Sequence, residues 1–403
     1  MNYRKEEVMQ YIEEEDVKFI RLAFCDVFGR QKNISITREE LPRAFRYGIA
    51  FDASAIRGFG DEARSDLFLH PDPSTLSVLP WRPEQGRVVR MYCTITYPDG
   101  TPFECDTRRL LINAVSDAEK EGYTFRFGAE EEFYLFELDE KNRETKIPYD
   151  RAGYMDVAPE DRGENVRREI CLTLEQMGIA PESSHHEEGP GQNEIDFRYT
   201  EALEAADNAM TFRTVVRTVA RRNGLCADFS PKPLPSEAGN GFHVNVSVKP
   251  DSPAGVTGSM IAGVLEKIPA MTVFLNPTED SYKRLGQKKA PRFVSWSREN
   301  RSQLVRIPAA SDEYRRAELR SPDPGANPYI AFALIIRAAL YGAKKGLALP
   351  PALDLNLYSA DASKLEGLVK LPESLDEAKE KAKNDGLIGE SIPKKIVDIY
   401  CEK

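Results

Sequence analysis

Four short stretches place polar or ionisable side chains at every second position of otherwise apolar text, and this alternation constrains the fold more than any other feature of the sequence. In GAEEEFYLF (128–136), Glu130 and Glu132 fall on one face of a strand, because strand side chains alternate. In HHEEGPGQNEIDF (185–197), Glu194 and Asp196 share a face while Ile195 and Phe197 take the other. In GFHVNVSV (241–248), His243, Asn245 and Ser247 line one face, and Val244, Val246 and Val248 line the opposite one. In AELRSPDP (317–324), Glu318 and Arg320 again share a face. Any one of these also fits the exposed face of a sheet. Together they gather charge, and three of the four histidines (His185, His186 and His243), onto strands whose other face is core-like. Such a face calls for cations. Carboxylates with an imidazole suit Mg²⁺ or Mn²⁺ better than zinc, which favours thiolates or more histidines.

The remaining text narrows the class. At 403 residues, two domains are the default expectation. A net charge of −10 repels polyphosphate, which argues against nucleic acid and anionic membrane as partners. Six scattered cysteines form no C-x-x-C pair, a usage that fits a reducing cytoplasm and not a disulfide framework. The N-terminus, MNYRKEEVMQYIEEED, has no apolar signal-peptide core. The most apolar run, Pro328 to Gly342, is short and carries Arg337, so it reads as a buried helix capped by Asn327 with Pro328 at its first position.

Residues 3–15 have helical periodicity, and VKFIRLAF and QKNISI flank a turn at Gly29 as a hairpin. LSVLPW and RVVRMYCTIT add further strand-like text. The Pro/Gly punctuation of YPDGTPF, near residues 98–103, then marks the expected boundary between a small N-terminal α+β domain (1–103) and a larger one (104–403). Helices are expected at Thr107–Glu121, Asn165–Met177, Ala202–Arg222 and Met260–Ile268. A capping box, Ser374-Leu-Asp-Glu377, opens a charged helix expected to stop near Gly386.

Taken in order, HHEEGPGQNEIDF, AADNAMTFRTVVRTVARRNGLCADFSPKPL, GNGFHVNVS, SYKRL, NRSQLVRIP and ELRSPDPGANPY resemble the type I glutamine synthetases, from the N-terminal strands to about residue 358. The resemblance implies an α+β fold, with a β-grasp domain before an ATP- and metal-binding catalytic domain. It also implies subunits in a hexameric ring, single or stacked in pairs as a dodecamer, with each active site at a subunit interface. The implied reaction joins ammonia to the γ-carboxylate of glutamate through γ-glutamyl phosphate, with ATP as substrate and two or more Mg²⁺ or Mn²⁺ ions. By this resemblance Glu132, Glu187 and Glu194 hold one ion, and Glu130, His243 and Glu318 the other. Arg301 and Arg306 meet nucleotide phosphates, with Arg301 also catalytic. Glu182, Asn245 and Ser247 match nucleotide-contacting positions, and Gly239, Arg284 and Arg320 match substrate-binding ones. Asp52, in FDASAIRGF, matches an aspartate that reaches the neighbouring subunit's site and helps deprotonate ammonium.

Several residues depart from that pattern. The flap after SYKRL reads RLGQKKAP, one residue short, with Lys289 where the family carries a glutamate that helps accept the ammonium proton. The loop 238–241 reads Ala-Gly-Asn-Gly in place of Asn-Gly-Ser-Gly, so a substrate-facing amide is missing. Arg57 stands where an acidic residue is usual. Tyr358 falls where some members are adenylylated, in different surroundings. Family members usually continue beyond the Ser374 helix with a C-terminal clamp on the facing ring, and its lack here implies weaker ring stacking. Three readings follow: a glutamine synthetase with a diverged flap, a γ-glutamyl ligase for an organic amine, or a catalytically weak regulatory paralogue.

Overall fold

The computed structural model describes residues 3–60, 62–82, 85–249, 256–287, 289–310 and 315–402. Alternating apolar residues in the first hundred positions build one sheet. Helix α1 (Lys5–Glu14) leads into β1 (Val17–Cys25) and β2 (Gln31–Thr37), the expected hairpin, with Gly29 at φ 75° in its turn. Helix α2 (Leu41–Tyr47) follows, then β3 (Ile49–Asp52), β4 (Asp66–Pro71), the two-residue β5 (Ser77–Val78) and β6 (Arg87–Thr96). Their order is β2-β1-β6-β4-β3, with β5 also on β6 and β1 parallel to β6.

Helix α3 (Thr107–Lys120) leads to the second sheet. Its spine is the 15-residue strand β7 (Thr124–Leu138), followed by β8 (Glu144–Pro148), α4 (Glu164–Gln176), β9 (Pro181–His186), β10 (Gln192–Phe197) and β11 (Thr200–Glu201). Then come α5 (Ala202–Arg222), β12 (Leu225–Asp228), β13 (Phe242–Lys249), α6 (Val256–Leu275) and α7 (Glu279–Arg284). The sheet closes with β14 (Trp296–Arg298), β15 (Val305–Ile307) and β16 (Ala317–Leu319). The order is β14-β15-β16-β13-β7-β10-β9, with β8, β11 and β12 also on β7. Helices α8 (Pro328–Lys345), α9 (Ala362–Leu365), α10 (Leu375–Lys383), α11 (Gly386–Ser391) and α12 (Lys394–Cys401) complete the chain.

Apolar residues on the far face of the second sheet meet α5 and α8: Phe127 stacks on Phe332 at 4.3 Å, and Phe332 on Phe242 at 6.1 Å. Helices α6 and α8 cross at two glycines. A Cβ on Gly263 would lie 2.2 Å from the Ala338 carbonyl oxygen, and one on Gly342 would lie 2.0 Å from that of Ser259, so only bare backbone fits there. Among the described residues α6 alone is long and apolar enough to cross a membrane, yet 72% of that stretch is buried inside the protein. Asn327 caps α8 as expected, its Oδ1 accepting from the Tyr329 N–H at 3.0 Å.

One expectation fails at a helix end. Helix α6 does not stop at Ile268 but continues through Pro269 to Leu275, because the buried residues Met271, Val273, Phe274 and Leu275 outweigh the hydrogen bond a proline cannot donate. The charged helix α10 ends at Lys383, and Gly386 opens a new helix whose first N–H groups are capped by Asp385. At Ser374 half of the capping box forms: its Oγ accepts from the Glu377 N–H at 3.2 Å, while Glu377 accepts from the Glu373 N–H.

Candidate active site

The registers of the second sheet set the polar side chains in rows across one face. Strand β10 lies antiparallel to β7 with Glu194 opposite Glu132 and Asp196 opposite Glu130. On the other side of β7, β13 sets His243 opposite Glu130 and Asn245 opposite Gly128. Strand β9 adds His185 opposite Glu194, β16 adds Glu318 opposite Asn245, and β15 sets Arg306 opposite Glu318. The period-two alternation thus reads correctly. Glu131 points the other way, where Arg213 Nε donates to its Oε2 at 2.7 Å with both side chains buried.

The expected metal-holding residues converge. His243 Nδ1 lies 3.5 Å from Glu130 Oε2 and 3.8 Å from Glu318 Oε1, and its Nε2 lies 4.0 Å from Glu132 Oε1. Glu132 is anchored through Oε2, which accepts from the Gly241 N–H at 2.8 Å and from Gln192 at 3.1 Å. Glu187 and Glu194 meet at His185, whose Nε2 is 3.1 Å from Glu187 Oε1 and 3.8 Å from Glu194 Oε1. Sequence reasoning gave His185 no role. It sits beside His186, which faces the opposite way, is fully buried, and contacts Asp150 Oδ1 at 2.8 Å. Adjacent histidines on a strand point to opposite faces, so one of the pair was bound to face the carboxylates.

The electrostatics mark this face as short of positive charge. Burial, reinforced by the charges of Asp196, Glu132, Glu130 and Glu187, pushes the Glu194 carboxyl well above the usual range. Burial and Glu130 raise Asp196 to about 7, although Ser183 hydrogen-bonds it. Burial also opposes the charge on Glu130, but His243 and Asn245 hold its carboxyl down to about 2. A buried group of carboxylates that cannot all ionise is matched by divalent cations. Two clusters, Glu130–Glu194–His243 and His185–Glu187–Glu194, bring their ligand atoms within 4.8 Å of one another. The donor set therefore fits hard metal ions.

Positive charge gathers at Glu318. Its carboxylate accepts from Arg306 at 2.5 Å and from Arg320 at 2.7 Å, and it is fully buried. Arg320 is itself 2% exposed, and its Nη2 donates to the Lys289 carbonyl at 3.2 Å. Arg284 is equally buried and donates to the carbonyls of Ser321 at 2.7 Å and Arg320 at 3.4 Å. It passes beneath Gly239, where a Cβ would lie 2.9 Å from Arg284 Cγ. Asn240 turns inward, donating to the Asp228 and Ser230 carbonyls, so its amide is not offered to the site. Arg301 is exposed, and its carbonyl accepts from Tyr358 Oη at 3.3 Å. Tyr358 thus lies at the rim of the site, not remote from it.

Beyond Asn245, Ser247 opens onto a cavity of about 1090 Å³ whose lining includes Tyr199, Val248, Met260, Trp296, Arg316 and Leu349. Glu182 is exposed on β9, at the far side of the Glu130–Asp196 row. Asp52 stands apart: it is exposed at the end of β3 in the first sheet, and its Oδ1 accepts from the Ser54 N–H and Oγ at 2.9 and 2.7 Å. Nearby Arg57 pairs with Glu402 at 3.2 Å and stacks on Phe28.

Comparison with known proteins agrees with this architecture. Residues 16–98 match the family model of the glutamine synthetase β-grasp domain, and residues 104–403 that of the glutamine synthetase catalytic domain. The chain is 43% identical over 413 residues to a glutamine synthetase of Clostridium saccharobutylicum, covering 99% of this chain and 93% of that one. It is 41% identical over 415 residues to one of Methanosarcina mazei, with the same coverage. Among solved structures, GmaS in complex with ADP superposes with a TM-score of 0.89 at 26% identity, covering 99% of this chain and 94% of that one. A Plasmodium falciparum glutamine synthetase shares the fold, with a TM-score of 0.87 at 21% identity and the same coverage.

Proposed function

This chain belongs to the glutamine synthetase family, and on that premise we propose that it ligates ammonia to the γ-carboxylate of glutamate, using ATP and passing through γ-glutamyl phosphate. The observation that carries this reading is the row of carboxylates Glu194, Glu132 and Glu130 beside His243 and the doubly arginine-paired Glu318. A carboxylate is a poor electrophile, and phosphorylation converts it to an acyl phosphate that an amine attacks. Glu132, Glu187 and Glu194 would hold one divalent ion, and Glu130, His243 and Glu318 another. When bound, Mg²⁺ or Mn²⁺ neutralises charge developing on the phosphoryl oxygens. His185, lodged between Glu187 and Glu194, orients both carboxylates.

The chain's own cations do the rest. Arg301 and Arg306 are assigned to the nucleotide phosphates, where fixed guanidinium donors stabilise the transferring group. The cavity beyond Ser247 suits the nucleoside, and Asn245 and Glu182 are assigned to contact the nucleotide. Arg320 is assigned to the glutamate carboxylate, with Arg284 holding the 320–321 turn and the Gly239 loop against each other. Asp52 is assigned to the site of a neighbouring subunit, because its exposed carboxylate makes only local contacts here. That assignment requires a homo-oligomer closed by heterologous contacts, as a hexameric ring or a stacked pair of rings. We further infer a domain division at residues 103/104 and a cytoplasmic setting, the latter supported by six free cysteines.

Phosphate release from ATP, measured with glutamate, Mg²⁺ and ammonium, tests the reading. Turnover that requires all four components is expected. Binding of ATP and metal with no glutamate-dependent turnover would favour a regulatory paralogue and overturn the enzyme reading.

A further inference from the structure

The flap turn after α7 is tightly bound. Gln287 N–H donates to the Arg284 carbonyl at 3.0 Å, Ala290 N–H to Gln287 at 2.9 Å, and Gly286 N–H to Ala290 at 3.2 Å. Lys289 adopts φ 59° within it, a left-handed conformation that costs a non-glycine residue about 1–2 kcal/mol. Its carbonyl is held by Arg320, so the backbone is pinned on both sides. The side chain of this constrained residue, 36% exposed, turns back over the site. Its Nζ lies 3.3 Å from Glu187 Oε2, 3.3 Å from Glu188 Oε1 and 4.3 Å from the centroid of the Tyr154 ring. Tyr154 in turn packs edge-on against His185 at 5.5 Å, and His185 contacts Glu187. With Tyr154 44% and the Glu188 side chain 41% exposed, one aromatic face and two carboxylates therefore meet at a primary ammonium group. This is the combination by which proteins recognise free and alkylated ammonium ions.

We propose that Lys289 is a tethered occupant of the amine pocket formed by Tyr154, Glu187 and Glu188, so that an acceptor amine must displace its Nζ to bind. This inference rests on the ligase reading. A free ammonium ion and the head of a primary alkylammonium present the same N–H donors and charge as Lys289, so both compete for the same carboxylates and ring. The tether gives Nζ an effective concentration in the millimolar range or above. If the pocket is open only one time in ten, acceptor affinity falls about tenfold, in proportion to the competent fraction. Lys289 would thereby act as a specificity-determining residue, raising the amine concentration at which the enzyme works.

Lys289→Gln and Lys289→Gly test this in the full-length assembly, and glycine suits the φ of 59° without strain. With ATP, glutamate and Mg²⁺ saturating, KM for ammonium and for methylammonium is expected to fall about tenfold in both variants. Expected kcat stays within about twofold, and Lys289→Arg, which keeps a cation, retains the high KM. A methylammonium titration followed by calorimetry, without metal or ATP, is expected to show binding to Lys289→Gln that the unaltered protein lacks. An unchanged or raised KM together with no new methylammonium binding overturns the proposal. So does a variant whose Mn²⁺ affinity alone tightens, since Lys289 would then be a counter-cation to Glu187 and not an amine mimic. If no amine supports phosphate release from any of the proteins, the ligase reading falls. The metal-free titration then decides the pocket by itself.

Discussion

Replacing Arg213 by methionine probes the support beneath the site. Arg213 Nε donates to Glu131 Oε2 at 2.7 Å and its Nη1 to the Ala326 carbonyl at 3.0 Å, while the Glu131 side chain is 0% exposed. Glu131 lies between Glu130 and Glu132 on β7 but faces the core, so whatever Glu131 does moves the two site carboxylates beside it. Removing one partner of a buried ion pair costs about 3–5 kcal/mol, because the other charge stays desolvated. The carboxylate can escape by taking a proton. Burial already pushes Glu131 upward against the pull of Arg213, and without that pull it rises further. A folded-state pKa above the unfolded value of about 4.3 favours the folded state while the group is protonated. The variant's own stability therefore falls by about 1.4 kcal/mol per pH unit from about pH 4.3 up to its folded pKa. The penalty relative to the parent, in which Glu131 is already raised, accrues between the parent's folded pKa and the variant's higher one. Urea denaturation with chelator present, at pH 5 and pH 8, measures this by tryptophan fluorescence. The double variant Glu131→Leu with Arg213→Met is expected to recover most of the loss, since apolar side chains of similar volume replace buried pairs at little net cost. A loss at pH 8 under about 1 kcal/mol, or one independent of pH, would refute the reasoning.

Other outcomes follow from the same geometry. Mg²⁺ or Mn²⁺ should raise the melting temperature, by the equivalent of about 2.7 kcal/mol at a hundredfold excess over Kd. Glu132→Ala should lose both that shift and metal-dependent phosphoryl transfer while remaining folded, and near-normal turnover in this variant would show the metal assignment to be wrong. For His186, burial opposes protonation, but Asp150 outweighs it and raises the imidazole pKa. Its contribution to stability is then complete below about pH 6.5 and lost as pH climbs through the raised value, so His186→Gln should flatten that limb of a stability-against-pH curve. Subunits carrying Asp52→Ala, mixed and reassembled with subunits carrying Glu132→Ala, should regain some turnover, because one shared site in such a mixture escapes both lesions. Mixtures as inactive as either parent would place Asp52 outside any shared site.

The face-by-face arrangement of Glu130, Glu132, Glu194 and His243 was readable because strand alternation is local physics. Which strands would be neighbours was not readable. Nothing in QNEIDF or FHVNVSV says that they flank β7 on opposite sides, since that order is set by helices packing on the other face. Lys289 shows the same division. Its chemistry was legible as a departure, but its direction depended on a left-handed backbone and on Tyr154, which comes from a distant loop. At the end of α6 the local signal misled, because burial decided the outcome. Pro269 did not stop α6, and Gly386 began a helix because Asp385 was placed to cap it.

One long strand, β7, borders β10, β13, β8, β11 and β12, and Glu318 arrives only on β16, which docks on β13, so residues from 130 to 318 must be in place before all the carboxylates face one another. During synthesis, then, the centre assigned to Glu130, His243 and Glu318 is not complete until nearly the whole catalytic sheet has left the ribosome. A chain truncated before residue 318 would keep Glu132, Glu187 and Glu194 but lack the third member of the second centre. Occupancy of both metal positions becomes a certificate of complete assembly: a preparation's stoichiometry of bound Mn²⁺ would separate finished sheets from partly folded ones, however native their helix content looks.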